Sequence, residues 1–219
     1  MDLTARLDGA KYSAFRWRYE LSIPKKLVLS LVMVGVTTLL AQLKFQLPWS
    51  PVPITGQTLG ALFSGVLLGT WWGGISMLLY ALLGVMGLPL FSGWTHGFSI
   101  IAGPTGGYIV GFVFASLLLG FFTDRYVRSR SFFTMLGLML VANFVLIYIP
   151  GLWQLNNWLT AVKGQSVSLA QLLTMGLIPF IPGDITKAVI AAAGARIVTP
   201  KKAFGGEVDK DKWANWHIP

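Results

Sequence analysis

The feature that most constrains this chain is a run of 79 residues, 45–123, that contains no Asp, Glu, Lys or Arg. A typical soluble domain has about 25% charged residues, whereas only 11% of these 219 residues are charged and 54% are hydrophobic. The run is long enough for about four membrane crossings of about 20 residues each. The sequence therefore predicts an integral membrane protein.

The hydrophobic segments predict an all-α bundle of six transmembrane helices. The predicted spans are residues 27–43, 57–68, 75–88, 103–122, 132–152 and 183–198. The proline-rich stretch 44–55 must be a non-helical loop, since proline removes a backbone N–H and blocks a helix. Residues 69–74 are predicted to form a tight turn, 153–167 a polar loop, and 168–178 a helix too short to cross.

Basic residues predict the orientation of the bundle. Six spans place both termini on one side, which collects 14 Lys and Arg residues, against two (Lys44 and Lys163) on the other side. The positive-inside rule makes the first side cytoplasmic. The predicted organisation is a basic, aromatic interfacial segment (1–26), a six-helix substrate-binding domain (27–198) and a polar cytoplasmic tail (199–219). No cleavable signal sequence is visible in residues 1–26.

The sequence lacks the motifs that are typical of several classes of enzyme and metal-binding protein. There is no cysteine, and two histidines, His96 and His217, are too few for a metal cluster. No nucleophile elbow, zinc-protease or Walker motif is present. The net charge is +9, and the basic residues cluster beside hydrophobic spans. This placement favours interaction with anionic lipid over binding of nucleic acid. We expect no enzymatic activity, no cofactor and no ATP hydrolysis by the chain itself.

Asp184 and Lys187 are a carboxylate and an ammonium three positions apart at the start of the last span. Residues three apart share one face of a helix, and a charge inside a bilayer is costly, so it needs a partner or a function. The pair could simply neutralise itself, or Lys187 could extend towards headgroups. The alternative is a binding site for a small polar or anionic solute near the outer face.

Four stretches in order give the chain a resemblance to the BioY family, the biotin-binding S components of energy-coupling-factor (ECF) transporters. They are residues 51–59 (PVPITGQTL), 82–91 (LLGVMGLPLF), 103–108 with Gly111 and Phe112 (GPTGGY, GF), and 182–187 (PGDITK). The resemblance implies a six-helix fold that captures biotin at the outer face of the cell membrane. It also implies a transmembrane coupling subunit and two cytoplasmic ATPase subunits as partners.

The resemblance also implies ligand positions. Asp184 and Lys187 match the family's acidic and lysine ligand residues, and biotin offers ureido N–H groups to a carboxylate and its own carboxylate to an ammonium. The other candidates have an alternative structural role as packing, interfacial, helix-capping or interior polar residues. They are Thr55, Gln57, Phe91, Trp94, Tyr108 and Asn143.

Two departures from the family pattern leave questions open. The small-residue contact motif of the first helix has only approximate substitutes here, which are Ser30, Gly35, Thr37 and Ala41. The polar ligand contact between the third and fourth spans has no clear counterpart, although Thr95 and His96 lie nearby. The leading hypothesis is an ATP-coupled biotin-binding subunit; the alternatives are a solitary biotin facilitator, an intramembrane enzyme using Asp184, and a scaffold with a purely structural ion pair.

Overall fold

The structure is a computed structural model that describes residues 3–203 and 206–210. Trp213, Trp216 and His217 of the predicted tail lie outside the described residues. The helices, in chain order, are α1 (Leu3–Glu20), α2 (Ile23–Gln42), α3 (Gln57–Leu68), α4 (Thr70–Val85), α5 (Phe98–Ala102), α6 (Gly106–Arg125), α7 (Phe132–Val141), α8 (Tyr148–Ala161), α9 (Leu169–Gly176) and α10 (Ile181–Val198).

Shorter elements connect these helices. Two-residue strands, β1 (Lys44–Phe45) and β2 (Ile54–Thr55), pair antiparallel across the proline-rich loop. 3₁₀ turns lie at Arg128–Arg130 and Ile178–Phe180, and a π-helical turn at Ala142–Ile147 joins α7 to α8. The non-helical loop at 44–55 and the short helix within 168–178 are confirmed.

Four helical segments within the described residues are long and apolar enough to cross a membrane: Ile23–Gln42, Gly106–Arg125, Phe132–Ala161 and Leu169–Val198. Helices α3 and α4 are apolar but shorter. At 1.5 Å per residue they extend about 18 and 24 Å, against a hydrocarbon core of about 30 Å. The chain is thus a helical membrane protein, and the count of six spans remains a prediction.

Two predicted loops are wrong. Residues 69–74 are not a turn, because α4 begins at Thr70 and Gly69 alone breaks the path, with a φ of +83°. Residues 153–167 are not one loop, because α8 continues to Ala161. Polar side chains suggested an early end to α8, but Leu and Gln are good helix formers and the first glycine after the span is Gly164.

Helix α6 is the most enclosed of the membrane-length helices, with 61% of its apolar window buried. Small residues let its neighbours approach closely, as is common between membrane helices. A Cβ at Gly120 would lie 2.5 Å from the Gly69 carbonyl carbon, and one at Gly73 would lie 2.7 Å from the Gly65 Cα. Glycine at these positions therefore sets the spacing of α3, α4 and α6.

The basic end of the bundle is the end at which α6 meets the loop before α7. Here Arg18 of α1 donates to the Val66 carbonyl at 2.7 Å and forms an ion pair of 2.6 Å with Asp124. Arg130 forms an ion pair of 2.7 Å with Glu207 of the tail. The last turn of α1 and part of the tail thus contact the body of the bundle. Burial lowers the pKa of the Arg130 guanidinium, and Glu207 opposes that shift.

Candidate functional site

A cavity of about 260 Å³ lies at the end of the bundle opposite the basic end, between the proline-rich loop, the 91–105 segment and the start of α10. Binding sites for drug-sized molecules usually have about 300–1,000 Å³, so this cavity suits a small ligand. The residues that line it are Lys44, Gln46, Pro51, Val52, Pro53, Thr55, Gln57, Thr58, Phe91, Ser92, Thr95, Ser99, Ile100, Pro104, Thr105, Tyr108, Ile109, Phe112, Ile147, Tyr148, Phe180, Asp184 and Lys187.

Asp184 and Lys187 form an ion pair on the first turns of α10. Helix α10 begins at Ile181, and Pro182 at its second position needs no intrahelical donor there. Lys187 also donates to the Thr55 carbonyl at 2.9 Å, which connects α10 to strand β2. Both side chains line the cavity instead of facing lipid.

The second Asp184 oxygen is held from the π-helical turn. The Tyr148 hydroxyl and the Asn143 amide both donate to it, the amide at 3.0 Å. In an ideal α-helix, residues five apart point about 140° away from each other. In the wider π-helical turn, with its i→i+5 hydrogen bonds, the side chains of two residues five positions apart point in more similar directions. Asp184 is only 3% exposed, so these donors replace the water that a buried carboxylate would otherwise need.

Gln57 and Thr55 belong to a second hydrogen-bonded group in the cavity wall. The Gln57 side-chain amide donates to the Tyr80 hydroxyl at 2.5 Å. The Thr55 hydroxyl donates to the side-chain oxygen (Oε1) of Gln57 at 3.0 Å. Tyr80 in turn donates to the Leu90 carbonyl at 3.1 Å. The Gln57 N–H meets the Thr55 hydroxyl at 3.4 Å, a weak capping contact. Both residues therefore line the cavity and Thr55 also makes a capping contact with α3, while their ligand-binding role remains a prediction.

Two of the predicted aromatic residues lie on the cavity wall. Phe91 is 1% exposed and packs edge-on against Tyr80, with ring centroids 5.5 Å apart. Tyr108 donates to the Gly176 carbonyl at 2.8 Å, which fixes its ring. Trp94 is 56% exposed and is not among the lining residues. Its φ of +57° places it in a tight turn.

The structure thus brings six of the eight predicted residues to one cavity: Thr55, Gln57, Phe91, Tyr108, Asp184 and Lys187. Asn143 lies behind the wall, where it contacts Asp184, and Trp94 lies outside it.

Sequence reasoning missed several lining residues. Tyr148 was not predicted as a lining residue, because in an α-helix it points away from Asn143 and no sequence pattern indicates the π-helical turn. Phe180 looked like part of a connecting segment, whereas it contacts the Tyr148 ring at a centroid distance of 6.4 Å. Lys44 and Ser92 are also on the wall, and so is Thr95, which the sequence placed only near a polar ligand contact. The charge of Lys44 beside an apolar loop was a signal for that residue, and Ser92 gave none.

The charged side chains on the wall are Lys44, Lys187 and Asp184, which together carry a net charge of +1. In the described part of the chain, no three His, Cys, Asp or Glu residues are grouped to hold a metal. The cavity offers charged hydrogen-bonding groups in a mostly apolar surrounding.

Fold and cavity together define a helical membrane protein with a small cavity at one end of the bundle, lined by an ion pair and apolar side chains. The BioY family model matches residues 12–203. The chain belongs to the BioY family, which is a family of transport proteins and not of enzymes.

Individual relatives agree with this assignment. A protein of Methanothermobacter thermautotrophicus named "Probable biotin transporter BioY" is 50% identical over 71% of this chain and 99% of its own length. The "Biotin transporter BioY" of Rhizobium etli is 34% identical over 80% and 92%. A crystal structure of "the S-component for biotin from an ECF-type ABC transporter" aligns with a TM-score of 0.70 at 28% identity, covering 80% of this chain and 93% of that one.

Proposed function

We propose that this chain is the membrane-embedded, high-affinity biotin-binding subunit of an ECF transporter. The observation that carries the proposal is the ion pair between buried Asp184 and partly buried Lys187 on the wall of a small, otherwise mostly apolar cavity. Biotin has ureido N–H and C=O groups, a carboxylate and an apolar ring, so it needs acceptors, donors and apolar walls. The relatives' names support the same ligand.

The cavity supplies each of these needs from its own residues. Asp184 is an acceptor, and Lys187 has a third N–H beyond those used on Asp184 and Thr55. Phe91, Ile109 and Phe112 are buried apolar residues on the wall. Charge-assisted bonds in a surrounding of this kind contribute about 1.5–3 kcal/mol each, which supports tight binding of a small molecule.

We further propose that the cavity opens at the outer face of the plasma membrane and that both termini are cytoplasmic. Six helical segments, α2, α3, α4, α6, α7–α8 and α9–α10, would then cross the membrane, with the two short ones tilted or partly covered. The 14-to-2 distribution of basic residues supports this orientation.

Release to the inside is assigned to an ATP-driven coupling module made of a transmembrane subunit and two ATPases. The described chain contains no nucleotide-binding motif, and the neighbouring crystal structure is of an ECF-type S component. In this mechanism ATP hydrolysis by the partners reorients the whole subunit. Uptake of biotin should therefore disappear in cells that lack every coupling subunit; undiminished uptake there would show a solitary facilitator.

Calorimetric titration of the purified protein with biotin tests the binding step. Lys187→Ala and Asp184→Asn should each weaken biotin binding by about 10–100-fold, because each leaves its buried partner without a counter-charge. Glu20→Gln, at an exposed carboxylate of α1, is the matched control and should bind like the parent. Unchanged affinity in both site variants would contradict the site, and no binding by the parent would contradict the function.

A further inference from the structure

We propose that Lys44, assisted by Ser92, binds the carboxylate of the ligand, while the Asp184–Lys187 pair binds its uncharged polar end. The inference rests on the proposed function and specifies how one ligand is oriented. It assigns a ligand-binding role to Lys44, which lies outside the four family-like stretches, and to Ser92, which directly follows the second of them.

The first argument is the charge of the cavity. Asp184 and Lys187 neutralise each other through direct contact, so the net charge of +1 on the wall belongs to Lys44. Among the described residues, no carboxylate lies within ion-pairing distance of the Lys44 ammonium. A monoanionic ligand would neutralise the cavity completely, and its charge is best placed at the cation that lacks a counter-ion.

The second argument is the length of the ligand. In biotin the carboxylate and the ureido group are separated by the ring system and four methylene groups. An ion pair in direct contact cannot meet both ends of such a molecule when it is extended. The pair does present an acceptor next to a donor, which matches the adjacent N–H and C=O of a ureido ring.

The third argument is the hydroxyl of Ser92. Within the described chain its Oγ is buried and has no hydrogen-bond partner, although Ser92 lines the cavity. A buried polar atom is unfavourable unless water or a ligand group meets it. The Lys44 ammonium lies close by, 3.3 Å from where a Cβ on Gly93 would be. An ammonium and a free hydroxyl on neighbouring positions suit the two oxygens of one carboxylate.

The wall that carries Ser92 is held in place before any ligand binds. Gln42, two residues before Lys44, accepts the N–H groups of Gly93 and Trp94 at 3.0 and 3.1 Å. The Phe91 N–H donates to the Thr95 carbonyl at 3.0 Å, which closes the turn. The Lys44 backbone is held by β1, where it faces Thr55 across the strand pair, while its side chain is exposed. The backbone of the proposed carboxylate site is therefore preorganised, which lowers the entropic cost of binding.

Titration with biotin and with biotinamide, its neutral amide, tests the inference. The parent protein should bind biotin about 10–100-fold more tightly than biotinamide, the range expected for a charge-assisted contact. Lys44→Met should abolish that preference by weakening biotin alone, and Ser92→Ala should reduce it about 3–10-fold. Lys44→Arg keeps the charge and should keep the preference.

Lys163→Met is the matched control, because Lys163 is an exposed lysine that contacts Trp158 and does not line the cavity. Its preference for biotin should equal that of the parent. If Lys44→Met retains the preference, or weakens both ligands equally, the inference is wrong while the proposed function stands. If the parent binds neither ligand, the proposed function itself fails.

Discussion

At the scale of the residue, the Asp184 carboxylate is the centre of the candidate site. Lys187 contacts one oxygen, and Tyr148 and Asn143 donate to the other. These donors fix the orientation of the carboxylate, so that it meets a ligand without first rearranging. The side-chain oxygen (Oδ1) of Asn143 is buried without a partner in the described chain. The hydrogen bond from its Nδ2 to Asp184 therefore orients the Asn143 side chain.

Tyr148→Phe should weaken biotin binding about 10-fold. The ring remains on the cavity wall, but the carboxylate loses one donor, and a hydrogen bond to a charged group contributes about 1.5–3 kcal/mol. Titration of Tyr148→Phe, Asp184→Asn and the double variant measures the coupling between the two residues.

If Tyr148 acts through the carboxylate, its effect should shrink to less than two-fold in the Asp184→Asn background. Tyr126→Phe is the control, since Tyr126 packs against Phe121 and Phe122 and does not line the cavity. Equal losses in both backgrounds would mean that Tyr148 acts only by packing.

At the scale of the element, the π-helical turn decides which side chains of α7 and α8 reach α10. The turn accommodates one extra residue within an otherwise α-helical path. Removing that residue leaves Asn143 and Tyr148 four positions apart, which still places them on one face of an α-helix. Removing a residue elsewhere in α7 rotates its preceding part by about 100° relative to the turn.

Two single-residue deletions test this account of the turn. Deletion of Val145, half-exposed within the turn, should leave biotin affinity within about 10-fold of the parent. Deletion of Gly137, whose Cβ position faces open space in α7, should abolish binding, because it puts the packed face of α7 out of phase. Similar losses in both variants, measured by the same titration, would contradict a role for the turn in alignment.

At the scale of the whole molecule, polar groups are concentrated at the two ends of an apolar bundle. The cavity lies at one end, and at the other Arg130 and Glu207 form an ion pair whose side chains are 1% and 0% exposed. Arg130 also donates to the Thr123 carbonyl at 3.0 Å and to the Pro200 and Lys202 carbonyls. This pair joins the tail to the loop before α7, far along the bundle from the ligand site.

Arg130→Met should lower the thermal midpoint in detergent clearly, because breaking a buried pair typically costs about 3–5 kcal/mol. Adding Glu207→Gln should recover part of that loss, since no unpaired charge then stays buried. Biotin affinity at a temperature where the protein is folded should not change.

The exposed Arg16–Glu20 pair is the control for this experiment. Arg16→Met should leave the midpoint unchanged, as surface pairs contribute little. A midpoint for Arg130→Met equal to that of the parent would show that the tail contact adds no stability.

The sequence predicted best those features that depend on residues close together in the chain. The charge-free run predicted a membrane protein, the four family-like stretches together predicted the family, and the PGDITK stretch placed Asp184 and Lys187 on one helix face. Helix ends were harder: polar residues at 153–167 did not end α8, and one glycine, Gly69, was the whole break between α3 and α4.

The sequence by itself indicated a helical membrane protein, because apolar segments of about 20 residues suit membrane-spanning helices, whose backbone groups are hydrogen-bonded within the segment. Only the tertiary structure decided what surrounds Asp184. Tyr148 and Asn143 reach it from the region of the π-helical turn between α7 and α8, and Lys44 and Ser92 line the same cavity from separate segments. Such contacts depend on helix phase and on the packing of distant segments, and neither is encoded in any short stretch of the chain.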